Sequence, residues 1–178
     1  MYKCYQDNIV KGKESFSLAW VAGENLLILT TWSLAGYLLW PVWTIFNFPI
    51  LTILWVTIVV AVQVLLKKHN CSGCYYYDKV CHLGWGKISS ALFKKNSGDP
   101  ATGEKLSLFY ILSPPLILVI SVAFAVTKNP ATSYWLVLAI YTGLNIASFP
   151  LRKKGCSICA MREICPGSAA KGKQVGKK

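Results

Sequence analysis

Charged residues are almost absent from two long stretches of this sequence. From Asn25 to Leu66 there are 42 consecutive positions without a charged side chain, and from Leu106 to Leu151 there are 46 whose only charge is Lys128. Across all 178 residues, 15% are charged and 54% are apolar. Charge-free runs of this length exclude an ordinary soluble domain. One membrane crossing needs about 20 apolar residues, so each run predicts two spans.

A tight turn is expected in the middle of each run. The first run contains Pro41-Val42-Trp43 and then Asn47-Phe48-Pro49, and the second contains Thr127-Lys128-Asn129-Pro130. Proline and asparagine favour turns over a continued helix. We therefore predict an all-α membrane protein with four transmembrane helices, built as two tandem helical hairpins that are each followed by a cytoplasmic cysteine triad.

Acidic residues are also scarce, with seven Asp and Glu against 19 Lys and Arg and a net charge of +12. Every basic residue except Lys128 lies in the N-terminal arm, the segment between the second and third spans, or the C-terminal tail. Four spans place those three segments on one face. Basic short loops mark the cytoplasmic side of a cell membrane, so both termini are expected in the cytoplasm. The lipid bilayer accounts for the positive charge, and no nucleic-acid partner is predicted.

Cysteine is absent from the predicted spans, and all seven cysteines fall in the predicted cytoplasmic segments. Two triads stand out, Cys71-x2-Cys74-x6-Cys81 and Cys156-x2-Cys159-x5-Cys165, each after a short basic run. Because the cytosol keeps thiols reduced, a disulfide framework is not expected, and metal binding or redox chemistry is favoured.

A Cys-x2-Cys turn places two sulfurs on one metal, and a later third cysteine can fold back as another ligand. Zinc prefers four ligands, so His82 or His69 is expected to complete the first triad and Cys4 the second; His69, beside a basic run, fits solvent better. Four thiolates from the two pairs would instead hold an iron–sulfur cluster, although the closely spaced four-cysteine ferredoxin run is missing. The predicted metal ligands are Cys71, Cys74, Cys81, Cys156, Cys159, Cys165, His82 and Cys4, and the choice between zinc and iron–sulfur stays open.

The two halves of the chain look duplicated. The cysteine and basic positions repeat at an offset of about 85 residues, and Glu14-Ser15-Phe16-Ser17-Leu18 is similar to Glu104-Lys105-Leu106-Ser107-Leu108 at an offset of 90. Two hairpins that start on the same side form parallel repeats, which would bring the triads together. The predicted boundaries are 1–93 for the first repeat with its interfacial helix, 94–170 for the second, and 171–178 for a disordered basic tail. No cleavable signal peptide is expected.

Glu24 is the possible functional residue inside the membrane. If the first span begins near Phe16, this carboxylate lies roughly 12 Å along the helix, where it would be a proton carrier or a ligand. If the span begins at Asn25, Glu24 lies at the lipid headgroups.

Two resemblances follow from these motifs. The run from Cys71 to Lys95, with Tyr75-Tyr76-Tyr77 and Cys81-His82-Leu83-Gly84-Trp85, resembles uncharacterised small prokaryotic cysteine-rich membrane proteins, which implies no activity. The topology is similar to that of protein S-acyltransferases, which carry a cysteine-rich zinc domain between their second and third spans. Their Asp-His-His-Cys nucleophile motif is absent, and Cys81-His82 approaches it in reversed order.

Three functions remain open from the sequence. The first is a membrane redox protein that passes electrons through an iron–sulfur site to a membrane or cytoplasmic protein partner. The second is a zinc-stabilised scaffold subunit of a membrane complex. The third is a cysteine-dependent enzyme such as an acyltransferase, in which one low-pKa thiol is the nucleophile.

Overall fold

The computed structural model describes residues 9–165 and 167–170 and is 66% helical. The helices are α1 (Leu18–Leu39), α2 (Ile50–Leu66), which continues into a π-helical turn at Lys67–Cys71, α3 (Trp85–Leu92), α4 (Pro100–Ser107), α5 (Phe109–Lys128) and α6 (Thr132–Ser157). Within the described ranges, four helical segments are long and apolar enough to cross a membrane: α1, α2 with its π turn, α4 with α5, and α6. The prediction of four membrane-length helices is confirmed.

Helix α1 begins where its sequence provides a cap. The hydroxyl of Ser17 accepts a hydrogen bond from the backbone N–H of Trp20, which satisfies one of the free donors of the first turn. Its 22 residues extend for about 33 Å, enough for a hydrocarbon core of about 30 Å. The helix therefore starts between the two positions considered above, and it includes Glu24 in its second turn.

A small β-hairpin joins α1 to α2 and departs from the expected all-α fold. Thr44–Ile45 pairs antiparallel with Phe48–Pro49, with Ile45 opposite Phe48. The two turn residues, Phe46 and Asn47, both have positive φ, the backbone geometry of the tightest two-residue hairpins. The proline- and asparagine-containing segment thus closes on itself by strand pairing.

The connection between α5 and α6 is shorter still. Asn129 ends α5 in the left-handed conformation with its N–H donated to the carbonyl of Ala125, and α6 begins three residues later at Thr132. Asparagine adopts this conformation more easily than most residues because its short amide bonds locally. The predicted turn lies at this position.

Helix α1 lies at the centre of the bundle and packs against α2, α5 and α6. The core between them contains Leu38, Trp55, Ile117 and Tyr141 among its buried residues. Outside that core the helices expose many large apolar side chains, including those of Leu26, Val119 and Ile146. Apolar surface of this extent suits contact with lipid better than contact with water.

Two cysteines lie inside helices, which corrects the expectation that every cysteine falls outside the spans. Cys71 is the last residue of the π turn that extends α2, and Cys156 lies in the last turn of α6. The physical reason is that the basic runs before them are good helix formers and carry each helix past its apolar stretch. Cys4 and the predicted tail 171–178 lie outside the described residues.

The halves also differ in their local structure. The Glu14–Leu18 segment is an extended arm that leads into α1, whereas its counterpart at Glu104–Leu108 forms the end of α4 and the junction with α5. Helix α3 follows the first triad, and the described residues after the second triad contain no corresponding helix. Ile88 and Leu92 of α3 are exposed, and the interfacial position of this helix stays a prediction.

Candidate functional site

The N-terminal arm runs alongside the second cysteine motif. The backbone N–H of Val10 donates to the carbonyl of Ala160 at 3.1 Å, and that of Lys13 donates to the carbonyl of Ile158 at 2.9 Å. Between them, Gly12 has no room for a side chain, since a Cβ atom there would lie 2.5 Å from the backbone nitrogen of Ala160. The absence of a side chain at Gly12 lets the arm pack directly on the cysteine motif.

Tyr76 connects the arm, the first cysteine segment and the second. Its ring is buried, and its hydroxyl donates to the carbonyl of Lys13 while accepting from the backbone N–H of Ala160 at 3.1 Å. Aromatic runs such as Tyr75-Tyr76-Tyr77 are usually interpreted as anchors at a membrane interface, because amphipathic rings collect there. For Tyr76 that interpretation is wrong, because its hydroxyl is used as an internal hydrogen-bonding group.

Both cysteine triads contribute to one buried cluster at this end of the bundle. Cys74 and Cys81 from the first triad and Cys159 and Cys165 from the second pack with the buried residues Phe16, Tyr76, Ala160 and Met161. We call the six cysteines Cys71, Cys74, Cys81, Cys156, Cys159 and Cys165 the thiol cluster. All six are free thiols.

The thiols affect one another electrostatically across the two motifs. Burial raises the pKa of Cys74 well above its ordinary value, and the charges of Cys165 and Cys71 raise it further. Burial also raises the pKa of Cys165 to about 12, with added repulsion from Cys159 and Cys156. Without a cation among them, these buried thiols stay protonated at neutral pH.

The carboxylate of Glu24 lies beside the thiol cluster and binds two partners. The indole N–H of Trp20 donates to Oε1 at 2.8 Å, and Nδ1 of His82 lies 2.7 Å from Oε2. The side chains of Glu24 and His82 are 14% and 13% exposed, so this ion pair is largely shielded from water. Gly155 allows the approach of α6, because a Cβ atom there would lie 2.8 Å from Oε1 of Glu24.

His82 links that carboxylate to the second triad. Burial of the imidazole opposes its protonation, but its interactions with Cys156 and Glu24 outweigh that cost and raise the pKa of His82 to about 9. The imidazole is therefore positively charged at neutral pH in the metal-free protein. Cys156 itself is 4% exposed.

The other histidine has a structural contact. Nδ1 of His69 accepts a hydrogen bond from the backbone N–H of Asp99 at 3.0 Å, and the side chain of Asp99 caps α4. His69 is only partly exposed. The chain folds back towards it at the start of α4, and the expectation that His69 faces solvent rather than a metal stays a prediction.

Among the described residues, no three His, Cys, Asp or Glu side chains are arranged to hold one metal ion as they stand. The backbone brings the two triads together, but the sulfur atoms do not converge on a single point. Trp20, Tyr76 and Gly155 were not predicted from the sequence to be part of this site. One signal was available for Trp20, which is four residues before Glu24 and so lies on the same helix face.

Comparison of the chain with protein-family models, with curated proteins and with solved structures finds no match.

Proposed function

We propose that this chain is an integral membrane protein whose two cysteine triads form one metal site at the cytoplasmic face, and that the site carries electrons through an iron–sulfur cluster. The observation that carries the proposal is the thiol cluster itself. Cysteines 85 residues apart in the sequence, such as Cys74 and Cys159, pack into the same buried cluster and are free thiols.

The chemistry of the cluster supports a bound cation. Burial is the main cause of the raised pKa values of Cys74, Cys159 and Cys165, and repulsion between neighbouring ionised thiols raises these values further. A metal ion reverses this balance, since it binds thiolates and neutralises their charge. A four-helix bundle does not need six unpaired thiols at one end for its stability.

His82 and Glu24 fit the surroundings of such a site. Metal-binding histidines commonly donate the second ring nitrogen to a carboxylate, which fixes the ring and raises its basicity. The Nδ1 to Oε2 contact of 2.7 Å between His82 and Glu24 has this form. In the proposal His82 is a ligand or a neighbour of the metal, Glu24 orients it, and Cys4 remains a candidate ligand.

The proposed topology is two tandem hairpins with both termini in the cytoplasm. It is supported by the short connections within the pairs α1–α2 and α5–α6, and by the basic residues at the thiol end. The proposed repeats are 1–93 and 94–170, followed by the basic tail 171–178. A membrane or cytoplasmic protein partner would exchange the electrons.

A zinc-stabilised scaffold is the second candidate, and one observation favours it. The thiol cluster lies where the N-terminal arm, the loop after α2 and the segment after α6 meet, as the hydrogen bonds of Tyr76 to Lys13 and Ala160 indicate. A closed four-ligand zinc site is suited to holding such segments together.

Metal content and visible absorption of protein purified without oxygen test both candidates. We expect iron and sulfide, with a broad visible band that bleaches on reduction. Cys74→Ser combined with Cys159→Ser should remove the iron, whereas Met161→Leu, in the same buried cluster, should retain it. Zinc without colour would refute electron transfer and support the scaffold. Protein that binds no metal would refute both and leave a thiol enzyme, with Cys156 beside His82 as the first residue to test.

A further inference from the structure

A cavity lies among α1, α2, α5 and α6, next to the thiol cluster. About 90 Å³ of it is accessible to a water-sized molecule, and the cavity is partly open to the outside. One end is charged, with Glu24 and Arg152, and the walls further along include Ile28, Trp32 and Trp55. Trp32 is eight residues beyond Glu24, so the cavity extends about 12 Å along α1 from its charged end.

The charge of this cavity comes from Arg152. The carboxylate of Glu24 already accepts a hydrogen bond from Trp20, and its charge is paired with that of His82. The ion pairs of residues 9–165 and 167–170 are His82–Glu24, Lys87–Asp78 and Arg162–Glu163, so Arg152 has no acidic partner among them. Glu104 and Arg152 both line an adjoining groove, but they make no ion pair with each other.

The guanidinium group of Arg152 is positioned by aromatic rings. It lies over the ring of Tyr110, 4.8 Å from the ring centroid, and Trp32 stacks on the same tyrosine. The hydroxyl of Tyr110 is bonded in turn by the side-chain amide of Gln63. Arginine held in one orientation presents paired N–H donors that match the oxygens of a carboxylate or a phosphate.

The cavity has an opening towards the outer surface of the bundle. A second hollow shares Arg152, Pro114 and Asn145 with it and continues between α5 and α6. This groove reaches Ile111 and Phe149, which are 68% and 62% exposed on the apolar outer surface. A molecule dissolved in the bilayer would have an apolar path from there to Arg152.

We propose that this cavity binds an anionic amphiphile taken from the bilayer, with its carboxylate or phosphate head on Arg152 and its apolar chain along Trp32 and Trp55. The negatively charged head would neutralise the half-buried guanidinium of Arg152, which has no acidic partner among the described residues. The chain would fill apolar space. The site is distinct from the metal site of the proposed function and does not depend on which metal the cysteines bind.

Tryptophan fluorescence tests this site directly, because Trp32 and Trp55 line the cavity. Protein in a neutral detergent is titrated with stearate brominated at mid-chain, since bromine quenches tryptophan only on contact. We expect saturable quenching that unbrominated stearate reverses. The methyl ester of stearate, which lacks the charge, should compete at least about tenfold less well, because hydrogen bonds to charged groups are the strong ones.

The matched variants are Arg152→Gln and Lys153→Gln. Both remove one positive charge from the same turn of α6, but Lys153 is exposed and does not line the cavity. Arg152→Gln should weaken stearate binding at least about tenfold, and Lys153→Gln by less than about twofold. Equal effects of the two variants would overturn the proposal.

The comparison of stearate with its methyl ester uses the unaltered protein. It therefore tests whether the cavity recognises an anionic head even if Arg152→Gln does not fold. Equal competition by stearate and its methyl ester would refute recognition of an anionic head. Phosphatidic acid as a third competitor identifies the source of the head. Stronger competition by phosphatidic acid than by stearate assigns the site to a phospholipid, and the reverse assigns it to a free fatty acid.

Discussion

The carboxylate of Glu24 contacts two side chains, one near it in the sequence and one far from it. Trp20 is four residues away on the same helix, and His82 is 58 residues away. A carboxylate among apolar helices is costly unless it is paired and hydrogen-bonded, and both requirements are met here. The same contacts hold the imidazole of His82 against the second cysteine motif.

Replacement of Glu24 by glutamine should release His82. The expected result is a fall in the pKa of His82 from about 9 towards its ordinary value near 6.5, since the carboxylate charge is lost. At neutral pH the variant should lose about 1–3 kcal/mol of unfolding free energy. The pKa is measured by NMR titration of the ring protons in metal-free protein, with His69 as the internal comparison, and stability by thermal unfolding in detergent.

The pH dependence of stability follows from the raised pKa. A histidine whose pKa is higher in the folded state stabilises the fold fully below about pH 6.5, and that stabilisation is lost as the pH rises through about 9. The difference between the wild type and Glu24→Gln should therefore shrink in alkaline solution. Glu104→Gln, at an exposed position, should change neither the pKa of His82 nor the free energy of unfolding. A pKa near 6.5 for His82 in the wild type would contradict the ion pair.

At the scale of elements, the contact of α1 with α6 depends on the glycine near the end of α6. Gly155 is buried, and a Cβ atom there would press on the carboxylate of Glu24 and lie 3.5 Å from Nδ1 of His82. Gly143, twelve residues earlier in α6, has no atom within 4 Å of the same constructed position. Close packing therefore requires glycine at position 155, whereas position 143 has room for a larger side chain.

Alanine substitutions at Gly155 and Gly143 distinguish the effect of close packing on stability from the effect of helix propensity. Gly155→Ala should destabilise the protein by about 1–3 kcal/mol, because the carboxylate must move away from its two partners. Gly143→Ala should be neutral or stabilise by up to about 1 kcal/mol, because alanine is the better helix former. Thermal unfolding of both variants measures the difference. Equal effects would mean that α1 and α6 do not meet at Gly155.

At the scale of the whole molecule, the basic residues of the described ranges 9–165 and 167–170 lie at the same end of the helix bundle as the thiol cluster, except Lys128, which lies at the other end. The proposed topology follows the positive-inside tendency and would place the thiol cluster in the cytoplasm. In that orientation the cysteines would lie in a reducing compartment, which the proposed metal site requires.

Fusion proteins in a bacterial host test this orientation. Alkaline phosphatase needs disulfides that form only outside the cytoplasm. We expect it to be active when fused after Asn129 and inactive when fused after Gly98, and a fluorescent protein fused after Lys178 should fluoresce. Activity after Gly98 with none after Asn129 would reverse the topology and place the thiol cluster outside.

Much of the architecture could be predicted from local composition. The charge-free runs predicted four helices of membrane length, and Pro49 and Asn129 mark the ends of the turns between them. Helix ends were less predictable. Cys71 and Cys156 are helical because lysine and arginine continue a helix readily, and a rule based on apolar residues alone stops too early.

The sequence by itself determined the number of membrane-length helices, the turns within the hairpins and the basic end, because each depends on residues within one short window and on their transfer between water and an apolar phase. Only the tertiary structure decided the partners of the isolated polar groups. Glu24 with His82, Arg152 with Tyr110 and Tyr76 with Lys13 are pairs 42 to 63 residues apart. Such pairs depend on how the helices pack, and side-chain fit between distant segments leaves no periodic signal in a single sequence.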